Sequence, residues 1–577
     1  MSISSAYARY RDVESNLGQA RRKRNEATAT NLPRRLRRST NDPSLRWVWR
    51  LWLRSGAIRS FFIVLGFVIF TVHFLSLTKT SDIARGYDDD VNNEAAYIEI
   101  REIDTLEDIE WPREPQAFTN DTNLGPLDDW IEVEGSNRNF FLYSAYLDRR
   151  GKINAVRIIA IIKKREKVKE CVVWTGDNIE RVSGKSQLIR ENWNLAYSAG
   201  YILCYLKDRN SVPSRVAVVL QGQYDEASSL PVQDLSVRDT MGNMSVCVKA
   251  FHYNFDRAVW LVEFIEFYRL LGADKFIFYN HTLGKNVERV LKYYQALGVA
   301  TVLPWSLPVV TQVEIRTEGI FAALNDCNLR SVNRFHLAAM VDIDEFLIPR
   351  QHHNLLDLVG SYDRGIQAFI FQNIFFYLYW ENDTAVHNAL FADDQGLGVS
   401  LFGEESSMPY LLTAFKTRRL GKPHKHGQRS KYIVRPEAVV ELGNHIIWEF
   451  VGNKPRIWVT NGNKKNIGRR RKATGLLKYD ENARYDTSLG LRYNKTPAGS
   501  AAKGPKKSRN VPPDVGMSHH YRICEFGGFD CLKKENLVDR RAHNWLVPLV
   551  KSVANACTKI FPLLGKCPEA PPLGSPW

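Results

Sequence analysis

Asp342 and Asp344 stand one residue apart in MVDIDEF (340–346), directly after an apolar run. Two carboxylates at that spacing, brought out at the end of a buried segment, can share one divalent cation. Their hard oxygen donors suit Mn2+ or Mg2+, ions that characteristically bind together with the phosphates of a substrate. The triplet is weak evidence by itself, since about one or two D-x-D triplets arise by chance in a chain this long. Asp88-Asp89-Asp90, for instance, reads as part of a solvated acidic stretch. The competing reading is that one aspartate caps a turn. Which reading holds depends on what positions the pair.

From about residue 245, strand-like and helix-like runs alternate. SVCVKAFHY (245–253), KFIFYNH (275–281), ATVLPW (300–305) and HLAAMVDIDEFLIP (336–349) read as strands. DRAVWLVEFIEFYRLLGA (256–273), KNVERVLKYYQALGV (285–299) and EIRTEGIFAALNDCNLRSVNRF (314–335) have helical spacing, the first two closed by Gly272 and Gly298. Alternation at these lengths predicts an α/β fold with βαβ units and a mostly parallel, Rossmann-like sheet. Asp342 and Asp344 then lie at the carboxyl end of a central strand, the ligand edge of an open α/β sheet. Tyr279 and His281, ending their own strand, point to the same edge and are candidates for nucleoside contact. Glu263 and Glu266, three apart on one helix, share a face. Glu263 either buttresses that pocket or pairs with Arg257 or Arg269. Asn325 and Asp326 either brace the loop of the acidic strand or lie on a helix surface.

The flanking sequence has other textures. Residues 138–240 hold short β-branched runs such as FFLYSAYL, VRIIAIIKK, ECVVWTG, YILCYL and SRVAVVL, which predict a small β-rich module. The α/β domain spans 245–545 and contains aromatic strand-like sequence after 365 and a basic, low-complexity loop at about 461–515. A Cys-containing tail follows at 546–577, and no internal repeat is present.

The net charge of +16 invites a nucleic-acid reading, but RRKR (21–24) and RRLRR (34–38) concentrate basic charge before residue 60. FFIVLGFVIFTVHFLSL (61–77) follows without a charged Asp, Glu, Lys or Arg, and at 1.5 Å per residue spans roughly 25 Å. With basic sequence before and acidic sequence after, the positive-inside rule orients it as a signal-anchor. Residues 1–60 become a cytosolic tail, 78–137 a stem, and the rest lumenal: a single-pass type II membrane protein. The basic arms and the folded head then occupy different compartments, which excludes a shared nucleic-acid site. All eight cysteines follow the anchor, where disulfides are permitted. Cys171–Cys204 and Cys557–Cys567 are the expected local bridges, while Cys247 and Cys327 fit equally as buried thiols. Glycosylation sequons occur at Asn120, Asn243, Asn280, Asn382 and Asn494, with Asn280 a poor site at a strand end.

Five stretches in order, WLVEFIEFYRLLGADKFIFYNH (260–281), LNDCNLR (324–330), MVDIDEFL (340–347), KYIVRPEAVVELGNH (431–445) and HHYR (519–522), make the chain resemble glycosyltransferase family 92. The resemblance implies a GT-A type nucleotide-sugar transferase fold in a Golgi membrane protein. It further implies inverting transfer of galactose from UDP-galactose, with Mn2+, to a hydroxyl of a glycan or glycoprotein acceptor such as the core fucose of N-glycans or pectic galactan. GT-A relatives supply a late histidine to the metal, which points to His520 first and His445 second, beside Asp344 in direct contact and Asp342 on the metal or the ribose. The resemblance places the general base at Glu381 or Asp383 in YWENDT, with Glu404 and Glu405 as alternatives. FFYLYW (375–380) either stacks against sugar faces or packs the core. The contrasting function is a catalytically silent glycan-binding protein of the same fold.

Overall fold

The computed structural model describes residues 129–391, 396–402, 408–452, 507–524 and 529–573, all within one compact unit. The 61–77 segment, the tail before it, most of the stem and of the 461–515 loop, Glu404, Glu405, and the Asn120 and Asn494 sequons lie outside the described residues. Among the described residues no helix is long and apolar enough to cross a membrane.

Strands β1 (Ile131–Glu132), β2 (Phe140–Asp148), β3 (Ala155–Lys163), β4 (Glu170–Thr175), β5 (Asn178–Leu188), β6 (Tyr197–Tyr205), β7 (Arg215–Val219) and β8 (Leu230–Asp234) form the first sheet. Their order is β1-β2-β3-β6-β5-β4-β7-β8, and a pairing of β2 with β8 closes the sheet on itself. β2 and β3 are buried on both faces, so they read as unbroken apolar runs. Leu142, Ile158 and Val173 fill the inside, whereas Tyr143, Tyr146, Ile159 and Tyr201 pack outward onto the α/β domain. β5 is polar and half-exposed; its pairing with β4 and β6 holds it, and its own sequence gives no strand signal.

The second sheet begins with β9 (Gly242–Val248), β10 (Lys275–Asn280), β11 (Ala300–Pro304) and β12 (Phe335–Val341). Helices α1 (Ala258–Leu270), α2 (Lys285–Ala296) and α3 (Ile320–Ser331) connect them. Gly272 stops α1 in a left-handed conformation, φ +98°, that a side chain would oppose. β13 (Glu345–Pro349), β14 (Ala368–Phe371), β15 (Asn373–Tyr377), β16 (Arg418–Leu420), β17 (Lys431–Val434), β18 (Val439–Leu442), β19 (Ile447–Phe450), β20 (Ser508–Asn510), β21 (Gly516–Arg522) and β22 (Asn536–Val538) follow, then α4 (Leu546–Ile560). The sheet order is β11-β10-β9-β12-β17-β14-β20, with only β17 running against the rest. This is the mostly parallel sheet that the alternation predicts. Leu337, Ala339 and Val341 of β12 face the core shared with α1, α2 and α4. Ala338 and Met340 face α3 and the first sheet. Period-two alternation thus welds the β-rich module to the α/β domain.

Two departures from expectation matter for the site. HLAAMVDIDEFLIP is not one strand: β12 ends at Val341, and β13 begins at Glu345 in a separate three-stranded sheet, β13-β21-β15. Asp342-Ile343-Asp344 is the crossing between two sheets. The third helix begins at Ile320 rather than Glu314, because Thr317, Glu318 and Gly319 all take positive φ (49°, 50° and 71°). Such backbone is costly for Thr and Glu and marks a locally over-determined segment.

All eight cysteines pair. Cys171–Cys204 and Cys557–Cys567 match expectation; Cys524–Cys531 is a third local link, and Cys247–Cys327 is a disulfide rather than two thiols, tying β9 to α3. The fold also takes in residues from 129 onward, where Trp130 stacks edge-on to Trp305 at 4.9 Å, inside the segment expected to be stem.

Candidate active site

Pairing of β12 with β17 sets Met340 opposite Tyr432, which brings Lys431 beside Asp342. Lys431 Nζ donates to Asp342 Oδ2 at 3.1 Å and to Asn444 Oδ1 at 2.8 Å, and lies 3.1 Å from Glu345 Oε2. All three ammonium protons therefore have an acceptor. Burial opposes charge on Lys431, but Asp342 and Glu345 carry its proton affinity above the usual lysine range. Burial likewise opposes charge on Asp342, yet Lys431, then Lys249, hold it well below the usual carboxylate range. Glu345 goes the other way: burial raises it, with Lys431 opposing. Asp342 N–H donates to Glu345 Oε2 at 3.0 Å, and Glu345 N–H returns a bond to the Asp342 carbonyl at 3.0 Å, tightening the crossing.

Asp344 belongs to a second pair. The β13–β21 register sets Glu345 opposite His520, and Tyr521 N–H bonds the Asp344 carbonyl at 2.9 Å. His520 Nε2 stands 3.2 Å from Asp344 Oδ2, and its Nδ1 stands 3.2 Å from Glu345 Oε1. Asn373 Nδ2 donates to the same Glu345 oxygen at 3.1 Å. Burial works against the Asp344 charge, and His520 more than offsets it, lowering the carboxyl.

This geometry fits a small divalent cation. Two neighbouring ligands of an octahedral Mg2+ or Mn2+, each at about 2.1 Å, stand roughly 3 Å apart, close to the observed 3.2 Å between Asp344 Oδ2 and His520 Nε2. With the Nδ1 proton toward Glu345, Nε2 would ligate in place of its present contact with Asp344, with the usual carboxylate support of a metal-bound histidine behind it. Among the described residues no three His, Cys, Asp or Glu side chains converge to hold an ion alone. A cation here would complete its shell with water or ligand oxygens.

The remaining expected residues scatter. His445 stands by the Asp342 side, its Nδ1 3.2 Å from the Ser430 carbonyl and its Nε2 3.2 Å from Asn444 Nδ2. Burial pushes it down to about 3, so it is neutral. Tyr279 is fully buried and donates to Asp326 Oδ2 at 2.7 Å, turned away from the cleft edge. His281 remains at the edge, with Nδ1 3.1 Å from the Trp305 carbonyl. Glu263, fully buried, pairs with neither arginine; it accepts the Leu412 and Thr413 amides and Thr413 Oγ1, each at 2.7 Å, capping the one-turn helix Leu412–Phe415. Asp383 is a clamp, accepting from Arg540 Nε (2.6 Å), Thr417 Oγ1 (2.8 Å) and Ala385 N (3.0 Å). Those donors overcome burial and lower its proton affinity, the wrong direction for a base. Glu381 is 85% exposed beside Arg418. Neither acid touches the Asp342–His520 cluster in this conformation. Asn243 and Asn382 are exposed, as glycan acceptors must be, and Asn382 Oδ1 accepts from the Tyr410 hydroxyl at 2.8 Å.

Reading by motif alone misses Glu345, Lys431 and Asn444, which hold the acidic site together. The signal existed: a third acid directly after D-x-D, and a lysine opening the apolar KYIV strand. It also misses the neighbouring edge. Lys249, just past β9, acts electrostatically on Asp342, Asp344 and Glu318. His252 Nε2 lies 3.4 Å from Glu318 Oε2, and burial pushes His252 down to about 3. Of this group only His281 has a strand-end position that the sequence makes visible.

Comparisons with known proteins bear on the α/β domain. The sequence profile of Glycosyltransferase family 92 matches residues 242–483. A curated relative, the β-1,4-galactosyltransferase galt-1 of Caenorhabditis elegans, is 32% identical over 108 residues, 18% of this chain. The match spans about a quarter of that relative, 25% of its length. Among solved structures, glucosyl-3-phosphoglycerate synthase from Mycobacterium tuberculosis in complex with Mn2+, UDP and phosphoglyceric acid is 17% identical, covering 34% of this chain and 57% of that one at a TM-score of 0.18. The apo structure of WbbM, a bifunctional glycosyltransferase, is 10% identical, covering 36% of each chain at a TM-score of 0.18. TM-scores this low fix neither fold nor chemistry. The profile match, over less than half of the chain, covers β9 to β19 and includes Asp342, Asp344, Glu345, Lys431 and Asn444, so this stretch is similar to glycosyltransferase family 92.

Proposed function

We propose that the protein is a metal-dependent inverting glycosyltransferase of GT-A type, moving galactose from UDP-galactose to a glycan hydroxyl. The observation that carries this is the Asp344–His520 pair, 3.2 Å apart at the carboxyl edge of the sheet, beside an Asp342 kept ionised by Lys431. The name of the Caenorhabditis relative supports galactose as the transferred sugar. Galactose leaves UDP as the α-anomer, so a β-linked product requires inversion.

Asp344 and His520 would hold Mn2+ or Mg2+, which when bound supplies positive charge for the departing diphosphate. The chain's own groups prepare that site. Glu345 fixes the His520 ring, Lys431 keeps Asp342 charged, and Lys249 adds a cation on the same edge. His252, His281 and Glu318 line the neighbouring edge, where a nucleoside would lie along the ends of β9 and β10. A cavity of about 520 Å3 at the start of α1 is lined by Trp260, Tyr410 and Lys416, among others. Its volume suits the end of a glycan. We propose that the acceptor binds there; Leu378 of its lining bonds the Arg522 carbonyl, two residues beyond His520. The 61–77 segment would anchor the chain in the Golgi membrane with this site in the lumen.

The test is release of UDP by the full chain, purified in detergent with Mn2+, from a panel of UDP-sugars. Turnover of UDP-galactose at least about tenfold above UDP-glucose is expected, a discrimination of about 1.4 kcal/mol. Equal turnover of all donors, or none, would remove galactose from the proposal.

A further inference from the structure

The β18–β19 hairpin carries Asn444 and His445 in its turn, and Asn444 is the third acceptor on Lys431. The turn is closed by Gly443 N–H on the Ile446 carbonyl at 2.9 Å and touched from β17 by the Tyr432 hydroxyl on the Gly443 carbonyl. Arg190 and Glu191, in the connection between β5 and β6 of the first sheet, grip it from behind. Arg190 N–H donates to Glu441 Oε1 at 2.7 Å, and its guanidinium donates to the Trp448 carbonyl at 3.2 Å and pairs with Glu449. Glu191 accepts from Trp448 Nε1 at 3.1 Å and lies beside the Asn444 backbone. The Glu191 carboxylate and the Trp448 indole lie so close over Gly443 that a Cβ there would collide with both. From the other side, Tyr201 of β6 donates to the Val440 carbonyl at 3.0 Å, and Asn325 of α3 brackets Leu442 with two bonds of 2.9 Å.

We propose that Glu191 is a positioning residue of the acidic site, and that the β-rich module completes that site by holding the 443–446 turn so that Asn444 meets Lys431. The path is short and continuous. Glu191 holds the Trp448 indole and packs over Gly443 beside Asn444, Asn444 Oδ1 fixes Lys431 Nζ, and Lys431 fixes Asp342 and Glu345. Glu345 in turn orients His520. Release of Asn444 leaves one ammonium proton of a buried lysine without its acceptor, so Lys431 shifts and the carboxylates follow. The consequence for metal and donor binding rests on the function proposed above; the brace itself does not.

Two readouts on the full chain keep these apart. Hydrogen exchange at residues 443–446 and 430–432 tests the brace without turnover or metal. Glu191→Ala is expected to speed exchange there by about tenfold or more, with exchange in β10 unchanged, and Glu191→Gln, which keeps one acceptor, to restore part of the protection. Unchanged exchange in Glu191→Ala would overturn the proposal. Mn2+ half-saturation and donor KM test the consequence. Both are expected to rise by about tenfold, as for other supports of metal ligands. Asn444→Ala should do the same, and the double variant should be no worse than either single one, because the two act along one path. Multiplying effects, or a loss of kcat alone that tracks the folded fraction, would reduce Glu191 to scaffolding. A wild-type chain that turns over no donor would sink the glycosyltransferase reading while exchange still decides the brace.

Discussion

Lys431 Nζ and Asp342 Oδ2 lie 3.1 Å apart across two antiparallel strands, with both side chains largely removed from water. The same ammonium reaches Glu345 and Asn444. A single cation thus holds two carboxylates that would otherwise repel each other at the crossing between two sheets.

Lys431→Met keeps the length of the side chain and removes its charge. Asp342 and Glu345 are left buried without their counter-ion, a change that costs about 3–5 kcal/mol when one partner of a buried pair is lost. Urea unfolding measures it. A loss below about 1 kcal/mol would show that the carboxylates find other partners, such as Lys249.

Asp326 joins the two sheets. Its carboxylate accepts from Ser144, from Tyr146 at 2.5 Å, and from Tyr279 and Arg330 at 2.7 Å each. Asp326→Asn leaves the Arg330 charge, also fully buried, without its ion pair, and about 3 kcal/mol of stability should go with it. Fluorescence and far-UV transitions should shift down together, since the cluster bridges both sheets. An unaltered midpoint with a raised donor KM would instead return Tyr279 to the nucleotide site.

Burial pushes Glu263 up to about 7, with the Thr413 and Leu412 donors opposing. The folded value is raised above the ordinary one, so this contribution is complete below about pH 4.5 and is lost as pH climbs through 7. The loss amounts to about 3 kcal/mol at most. Glu263→Gln cannot ionise and should flatten the stability profile between pH 5 and 8, costing most at pH 5. Parallel profiles for the two proteins, measured by urea unfolding, would show that the carboxylate is ionised throughout.

Much of the architecture is legible in the sequence because it depends on local periodicity. The apolar alternation around β9, β10 and β12 and the glycines ending α1 and α2 place the strands and helices correctly, and with them Asp342 and Asp344. What stays hidden depends on contacts between distant segments. Nothing near Lys431 says that its charge lies under Asp342, since that follows from β17 reversing beside β12. In the sequence Glu263 reads as a pocket buttress or an ion-pair partner and Asp383 as a candidate base, yet each is used up by donors from segments it meets only in the fold. The break between β12 and β13 is hidden for a similar reason: the run stays apolar while the pairing partner changes.

The most direct test of the account is Mn2+-dependent release of UDP from UDP-galactose by the full chain, compared with Asp344→Ala and His520→Ala. Both variants are predicted to lose about 10²–10³-fold or more in kcat/KM, as when preorganised charge stabilisation is removed, and to need more Mn2+ for half-saturation while keeping a near-native melting temperature. Turnover in Asp344→Ala equal to wild type, with the same Mn2+ dependence, would contradict it.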